Sequence, residues 1–123
     1  MSGFDRDLLQ RLEREREVRV RTRRQDGSTT DLPIWVVTVD GEPYVRSYRA
    51  ERGAWYRRAR AEGRLTLVVG DRTVPVLARP VADEELNQRV STAFTAKYGE
   101  GGPARTMVSP AVAATTLRLA PAG

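Results

Sequence analysis

Residues 29–48 read TTDLPIWVVTVDGEPYVRSY, and the way this run divides into strands decides the fold. Ile34 to Val39 is an unbroken series of β-favouring side chains, which predicts a strand covered on both faces rather than one with a wet side. The pattern places one strand over Thr29–Val39. Asp40-Gly41-Glu42-Pro43 supplies the residue types of a tight turn. Tyr44 to Tyr48 returns as a further strand, so the two form an antiparallel hairpin.

Working outward, Val18-Arg19-Val20-Arg21-Thr22-Arg23 alternates in the manner of a half-buried strand, and Gln25 to Ser28 turns it into the next one. Asp5 to Glu17 has Leu8, Leu9 and Leu12 on one helical face with acids at its start, predicting an amphipathic helix that caps the domain. Downstream, Gly53 precedes a short helix over Ala54–Ala61 that stops at Gly63. Leu65–Val69 and Thr73–Val81 read as strands four and five, with Pro75 pointing to an edge or a bulge. Asp83 to Tyr98 is the longest helix, with Asp83 as N-cap and Leu86, Val90, Ala93, Phe94 and Tyr98 as its apolar stripe. Glu100–Pro110 reads as a loop and Ala113–Leu119 as the last strand. The sum is a mainly β, α+β domain: a six-stranded antiparallel barrel with an N-terminal helix (1–17), a short helix after strand 3 and a longer one before the last strand (barrel 18–121). A chain of 123 residues is small for a barrel that also encloses a ligand, which favours a homodimer whose interface completes the cavity.

Composition removes whole classes of chemistry. The chain has no cysteine and no histidine, so a thiolate zinc site, a disulfide, a cysteine nucleophile and a Ser-His-Asp triad are all excluded. No metal site is expected, and an enzyme built from this sequence would rely on a cofactor for the difficult step. No apolar run is long enough to span a bilayer, and the mixed-charge N-terminus is no signal peptide, which points to the cytoplasm.

The net charge is +5, and it is unevenly spread. Residues 44–63, YVRSYRAERGAWYRRARAEG, hold most of the excess, with arginines interleaved by Tyr44, Tyr48, Trp55 and Tyr56. Three readings compete here. A nucleic-acid surface would use the aromatics to stack bases and the arginines to hold phosphates, yet acids interrupt the run and no nucleic-acid motif accompanies it. An ordinary wet helix with Trp55 in the core explains any single residue. A phosphate pocket explains the arrangement: Arg46 and Ser47 at a strand end, Gly53 before a helix start, then Arg57 and Arg58 in the first turn. On that reading Arg49, Arg52, Arg60 and Arg64 belong to solvent.

Pro33-Ile34-Trp35-Val36-Val37, Asp40-Gly41, Tyr44-Val45-Arg46-Ser47, Trp55-Tyr56-Arg57-Arg58, Lys97-Tyr98-Gly99 and Thr116-Leu117-Arg118-Leu119 together resemble an uncharacterised bacterial family. That family is grouped with the flavin split barrels, which include pyridoxamine-phosphate oxidases and deazaflavin-dependent nitroreductases. The resemblance runs from about Val18 to Pro121. It implies a homodimeric split barrel that binds FMN or a deazaflavin and passes hydride to a small organic substrate. Carried over by position, it implies cofactor contacts at Arg46, Ser47, Trp55, Arg57 and Arg58. With no histidine in the chain, proton delivery would fall to a tyrosine (Tyr44, Tyr48 or Tyr56), a serine or solvent, with Tyr48 favoured because it follows the proposed phosphate contacts. Two departures stand out: Arg58-Ala59 replaces the asparagine-leucine pair of the deazaflavin enzymes, and no lysine precedes Lys97. A binder of the same fold without redox turnover is the alternative.

Overall fold

Trp35 divides what the sequence presents as one long strand. The computed structural model describes residues 3–122, in which β1 (Val18–Arg23) pairs with β2 (Thr29–Ile34), and β3 (Val36–Val39) pairs with β4 (Glu42–Val45). The remaining strands are β5 (Arg64–Val69), β6 (Arg72–Pro80) and β7 (Leu117–Pro121), and the sheet order is β2-β1-β5-β6-β7-β4-β3, antiparallel throughout. The strands therefore number seven rather than six. β2 and β3 lie at opposite ends of that order although one residue separates them. Two peptide units reach at most about 7 Å, so the sheet must curl until its two edges meet at Trp35. No ladder joins those edges. The barrel is closed by the chain and left open by its hydrogen bonds, which makes it split.

The continuous apolar run behaves as its composition predicts. Val36 and Val45 face the barrel interior with Val18, Val20, Leu67, Val76 and Leu119, while Val37, Val39 and Tyr44 face the helices. Leu8 and Leu12 of α1 (Arg6–Arg14) join the interior cluster, each worth about 2 kcal/mol of burial. On the outer side, Val90, Phe94 and Tyr98 of α3 (Glu84–Tyr98) cover β3 and β4. Asp5 and Asp83 are the N-caps of these two helices: Asp5 accepts from the Leu8 amide, and Asp83 from the amides of Glu85 and Leu86.

Two boundaries differ from the sequence reading. Gly101 to Ala114 is not a loop: Pro103 and Pro110 occupy first-turn positions of α4 (Gly102–Met107) and α5 (Pro110–Ala113), where proline's missing N–H costs nothing. Ala113 accordingly ends a helix, and the last strand begins only at Leu117. Pro75 lies within β6, paired with Thr66 of β5, but β7 reaches only Val76–Pro80, so the edge there is open and needs no proline N–H. No described helix is long and apolar enough to cross a membrane.

Candidate functional site

The open seam of the barrel leads into a cavity of about 520 Å³. Its walls come from the β2–β3 link (Leu32 to Trp35), the segment after β4 (Arg46 to Arg49) and the start of α2 (Ala54–Glu62), with Glu17, Pro103 and Met107 completing it. Both tryptophans of the chain line this one space.

Between β4 and α2 the backbone folds back on itself. The Ser47 carbonyl accepts from the Ala50 amide (2.9 Å), and the Ala50 carbonyl from the Gly53 amide (3.2 Å). Ala50 is held at φ +56°, a left-handed conformation that costs a non-glycine residue about 1–2 kcal/mol. The fold-back brings Ser47 Oγ against Gly53, the N-cap of α2, and a Cβ there would collide with it. Gly53 has φ −63°, so it is the close approach and not the backbone angle that demands glycine. No side chain caps α2, which leaves first-turn amides without an acceptor. Ser47 is 1 % exposed, and its hydroxyl is the one buried side-chain polar atom without a partner among the described residues.

Arg46 is also 1 % exposed, and four of its guanidinium's five N–H groups are engaged in holding the fold together. Nε donates to Thr116 Oγ1 (2.8 Å), Nη1 to the Met107 carbonyl (2.9 Å), and Nη2 to Asn87 through both its carbonyl (2.9 Å) and Oδ1 (2.7 Å). The group packs over the Phe94 ring at 5.3 Å. Burial pulls its pKa down to about 10, so it stays charged at neutral pH. No carboxylate lies within ion-pair distance of it among the described residues. Arg46 borders the cavity as a buried, uncompensated cation rather than as a free clamp.

The proposed clamp residues do not all meet. Ser47, Trp55 and Tyr48 line the cavity, Trp55 at 5 % exposure and Tyr48 on the rim at 54 %. Arg57 and Arg58 line a different groove, with Arg23 and Arg24, on the far side of the α2 start. Two residues advance a helix by about 200°, which carries Arg57 away from Trp55's side. Arg58 is drawn onto β1 and β2 by Thr22 Oγ1 and Thr30 Oγ1, both 3.3 Å from Nη1. Arg49, assigned to solvent from sequence, is exposed and also borders the cavity.

The roles of Asn87, Thr115 and Thr116 in holding Arg46 and Ser47 escaped the sequence reading. The Ser47 amide donates to Thr115 Oγ1 (2.9 Å), and Asn87 Nδ2 donates to the Ala113 carbonyl (2.9 Å). These contacts fix the Arg46–Ser47 segment from 41 to 70 residues away along the chain, where no local pattern could announce them. The available signal was the placement of a lone Asn and two threonines next to otherwise apolar elements. Among the described residues, no three carboxylates gather as metal ligands.

Solved structures place the fold among split barrels. The heme storage protein HutZ of Vibrio cholerae is similar with a TM-score of 0.73 at 13 % identity, over 95 % of this chain and 89 % of that one. A Listeria innocua protein provisionally described as a pyridoxamine 5′-phosphate oxidase gives 0.63 at 13 %, over 92 % and 87 %. An F420-H2 dependent reductase gives 0.62 at 16 %, over 86 % and 94 %. These likenesses establish the architecture. Among curated proteins, none matches the chain. Residues 8–119 match, and the chain therefore belongs to, the family described as uncharacterized proteins conserved in bacteria, DUF2255.

Proposed function

We propose that the cavity binds a phosphorylated flavin or deazaflavin and that the protein transfers hydride between it and a small organic substrate. The observation that carries this reading is Ser47 Oγ, buried and unpartnered, set against the uncapped start of α2. A phosphate there would accept from the serine hydroxyl and the first-turn amides, and would supply the nearby Arg46 cation with a missing counter-charge. The groups present therefore fit an anion-bearing cofactor, whose ring system would supply the hydride chemistry. The chain's own part is to hold the phosphate, to shield the ring from water with Trp55, and to offer a proton from the Tyr48 hydroxyl at the rim. Arg57 and Arg58, from their separate groove, would act on the cofactor only at longer range.

The rim also supports a homodimer. Among the described residues, Leu32 and Tyr48 are the two exposed large hydrophobic residues, at 44 % and 54 %, and both border the cavity mouth. A second copy seated there would cover them and close the site.

Titrating the purified protein with FMN, riboflavin and a phosphorylated 5-deazaflavin tests the reading. Micromolar binding of one phosphorylated form, with riboflavin at least tenfold weaker, is expected. Failure of both phosphorylated forms to bind would overturn it. Binding with no turnover of nitroaromatic or enone substrates would leave a carrier of the same fold without redox turnover.

A further inference from the structure

Trp35 is the single residue between β2 and β3, half-buried at the seam where the sheet's edges meet, and it lines the cavity. Its indole lies against the Tyr98 ring with centroids 4.0 Å apart and planes within 2°. Tyr98 has little freedom to move. Its hydroxyl donates to the Arg16 carbonyl (2.7 Å) and accepts from the Val36 amide (3.2 Å), and Phe94 packs beside it at 6.1 Å. The cations of Lys97 and Arg16 sit 5.2 and 5.3 Å from its centroid. One face of Trp35 is thus committed to a fixed backing. A half-buried, cavity-lining ring so backed has its opposite face left for whatever enters.

We propose that Trp35 is the stacking platform for the planar aromatic ring of the cavity's ligand, with Tyr98 as its rigid backing. This rests on the reading that the ligand carries a ring as well as a phosphate, and it assigns the ring to a residue that neither phosphate cradle nor rim contains. The division of labour follows from chemistry. Ser47 and the start of α2 recognise charge, and Trp35 recognises flatness. A stack on a pre-positioned indole loses little side-chain freedom on binding, because Tyr98 has already fixed the rotamer. Trp55 is less suited to the part. It is more deeply buried, and its edge-on contact with Tyr56 (6.2 Å, 86°) sets it as a wall.

The test compares Trp35→Leu, Trp35→Phe and Trp35→Tyr with the unaltered protein, using FMN and a phosphorylated 5-deazaflavin as ring-bearing probes and inorganic phosphate as the ringless one. Trp35→Leu should weaken binding of the ring-bearing probe about tenfold, the usual reach of one aromatic stack. Phosphate should displace that probe from the site with an unchanged inhibition constant. Trp35→Phe and Trp35→Tyr should stay within about threefold of the original affinity, which a merely structural loss would not predict. Bound FMN should also show a long-wavelength absorbance shoulder from the stacked indole, absent in Trp35→Phe. If Trp35→Leu does not fold, the two aromatic variants and the shoulder decide. Equal affinity in Trp35→Leu, or a shoulder that survives in Trp35→Phe, overturns the platform while leaving the cofactor reading intact. No binding of any ring-bearing probe to the unaltered protein sinks the cofactor reading itself.

Discussion

Ser47 Oγ lies so close to Gly53 that no side chain fits at position 53 while the serine keeps its place. Strand end and helix start are thereby locked at one spot, and a hydroxyl that hydrogen-bonds nothing in the protein is what the lock presents to the cavity.

Gly53→Ala should separate stability from binding. A serine hydroxyl can turn away from the new methyl at the cost of a rotamer change, so the fold should lose only about 1 kcal/mol in urea titration. Affinity for a phosphorylated ligand should fall at least tenfold, because the hydroxyl no longer points at the helix start. Gly53→Ala combined with Ser47→Ala should recover the stability without the affinity. Full binding by the single variant would remove the serine from the site.

Arg46→Met should be far more damaging. It removes a buried group that donates to Thr116, Met107 and Asn87, so the interior loses four hydrogen bonds, although Asn87 Oδ1 keeps the one from Thr116 Oγ1. About 3–5 kcal/mol of destabilisation is expected from denaturant midpoints. Arg57→Ala, on an exposed face, should change stability by less than about 0.5 kcal/mol. Comparable losses in the two variants would contradict the burial of Arg46.

Moderately alkaline pH should stabilise the protein. Burial lowers the Lys97 pKa from 10.5 to about 8. Between those values the unfolded chain holds a proton that the folded chain has released, so stability rises with pH. The neutral amine still has two N–H groups for the Leu12 and Val36 carbonyls, both 2.7 Å away, so those bonds survive deprotonation. Tyr98 acts in the opposite sense: burial raises its pKa from 10.0 to about 12, and above pH 10 the unfolded phenol ionises first. Thermal midpoints should climb from pH 8 to about pH 10, above which the lowered pKa of Arg46 opposes the effect of Tyr98, and Lys97→Met should abolish the climb.

Tyr48→Phe should leave folding and cofactor affinity within twofold, since Tyr48 is exposed on the rim and is not in the core. If its hydroxyl delivers the proton, turnover should drop about 10²-fold, within the usual range for a lost acid. Unchanged steady-state rates would move proton delivery to solvent or to another group.

Much of the architecture could be read directly from side-chain period. β1 alternates because one side of it meets the core, and Ile34 to Val39 does not alternate because both sides are covered. The break at Trp35 was illegible for the same reason: an aromatic inside an apolar run continues a strand pattern, and only the long-range pairing of β2 with β1 and of β3 with β4 divides it. Gly101 to Pro110 misled in the other direction, since glycine and proline mark helix starts as readily as loops. At the site, Ser47, Gly53 and Trp55 were legible as neighbours of a helix start. The separation of Arg57 and Arg58 was not, because charge content says nothing about which side of α2 a guanidinium takes. Arg46 looked like a ligand contact because arginine is seldom buried, and its partners lie on elements remote in sequence.

The one-residue joint at position 35 has a consequence for how this barrel can change. Since no sheet ladder crosses the seam, the gap between its lips depends on the length of the chain that joins them rather than on strand pairing. An insertion beside Trp35 would widen the mouth without unpairing a single rung of the sheet, whereas one in β5 or β6 would disturb ladders on both sides. The barrel carries a built-in adjustment point for ligand size, at the same residue whose ring faces the incoming molecule.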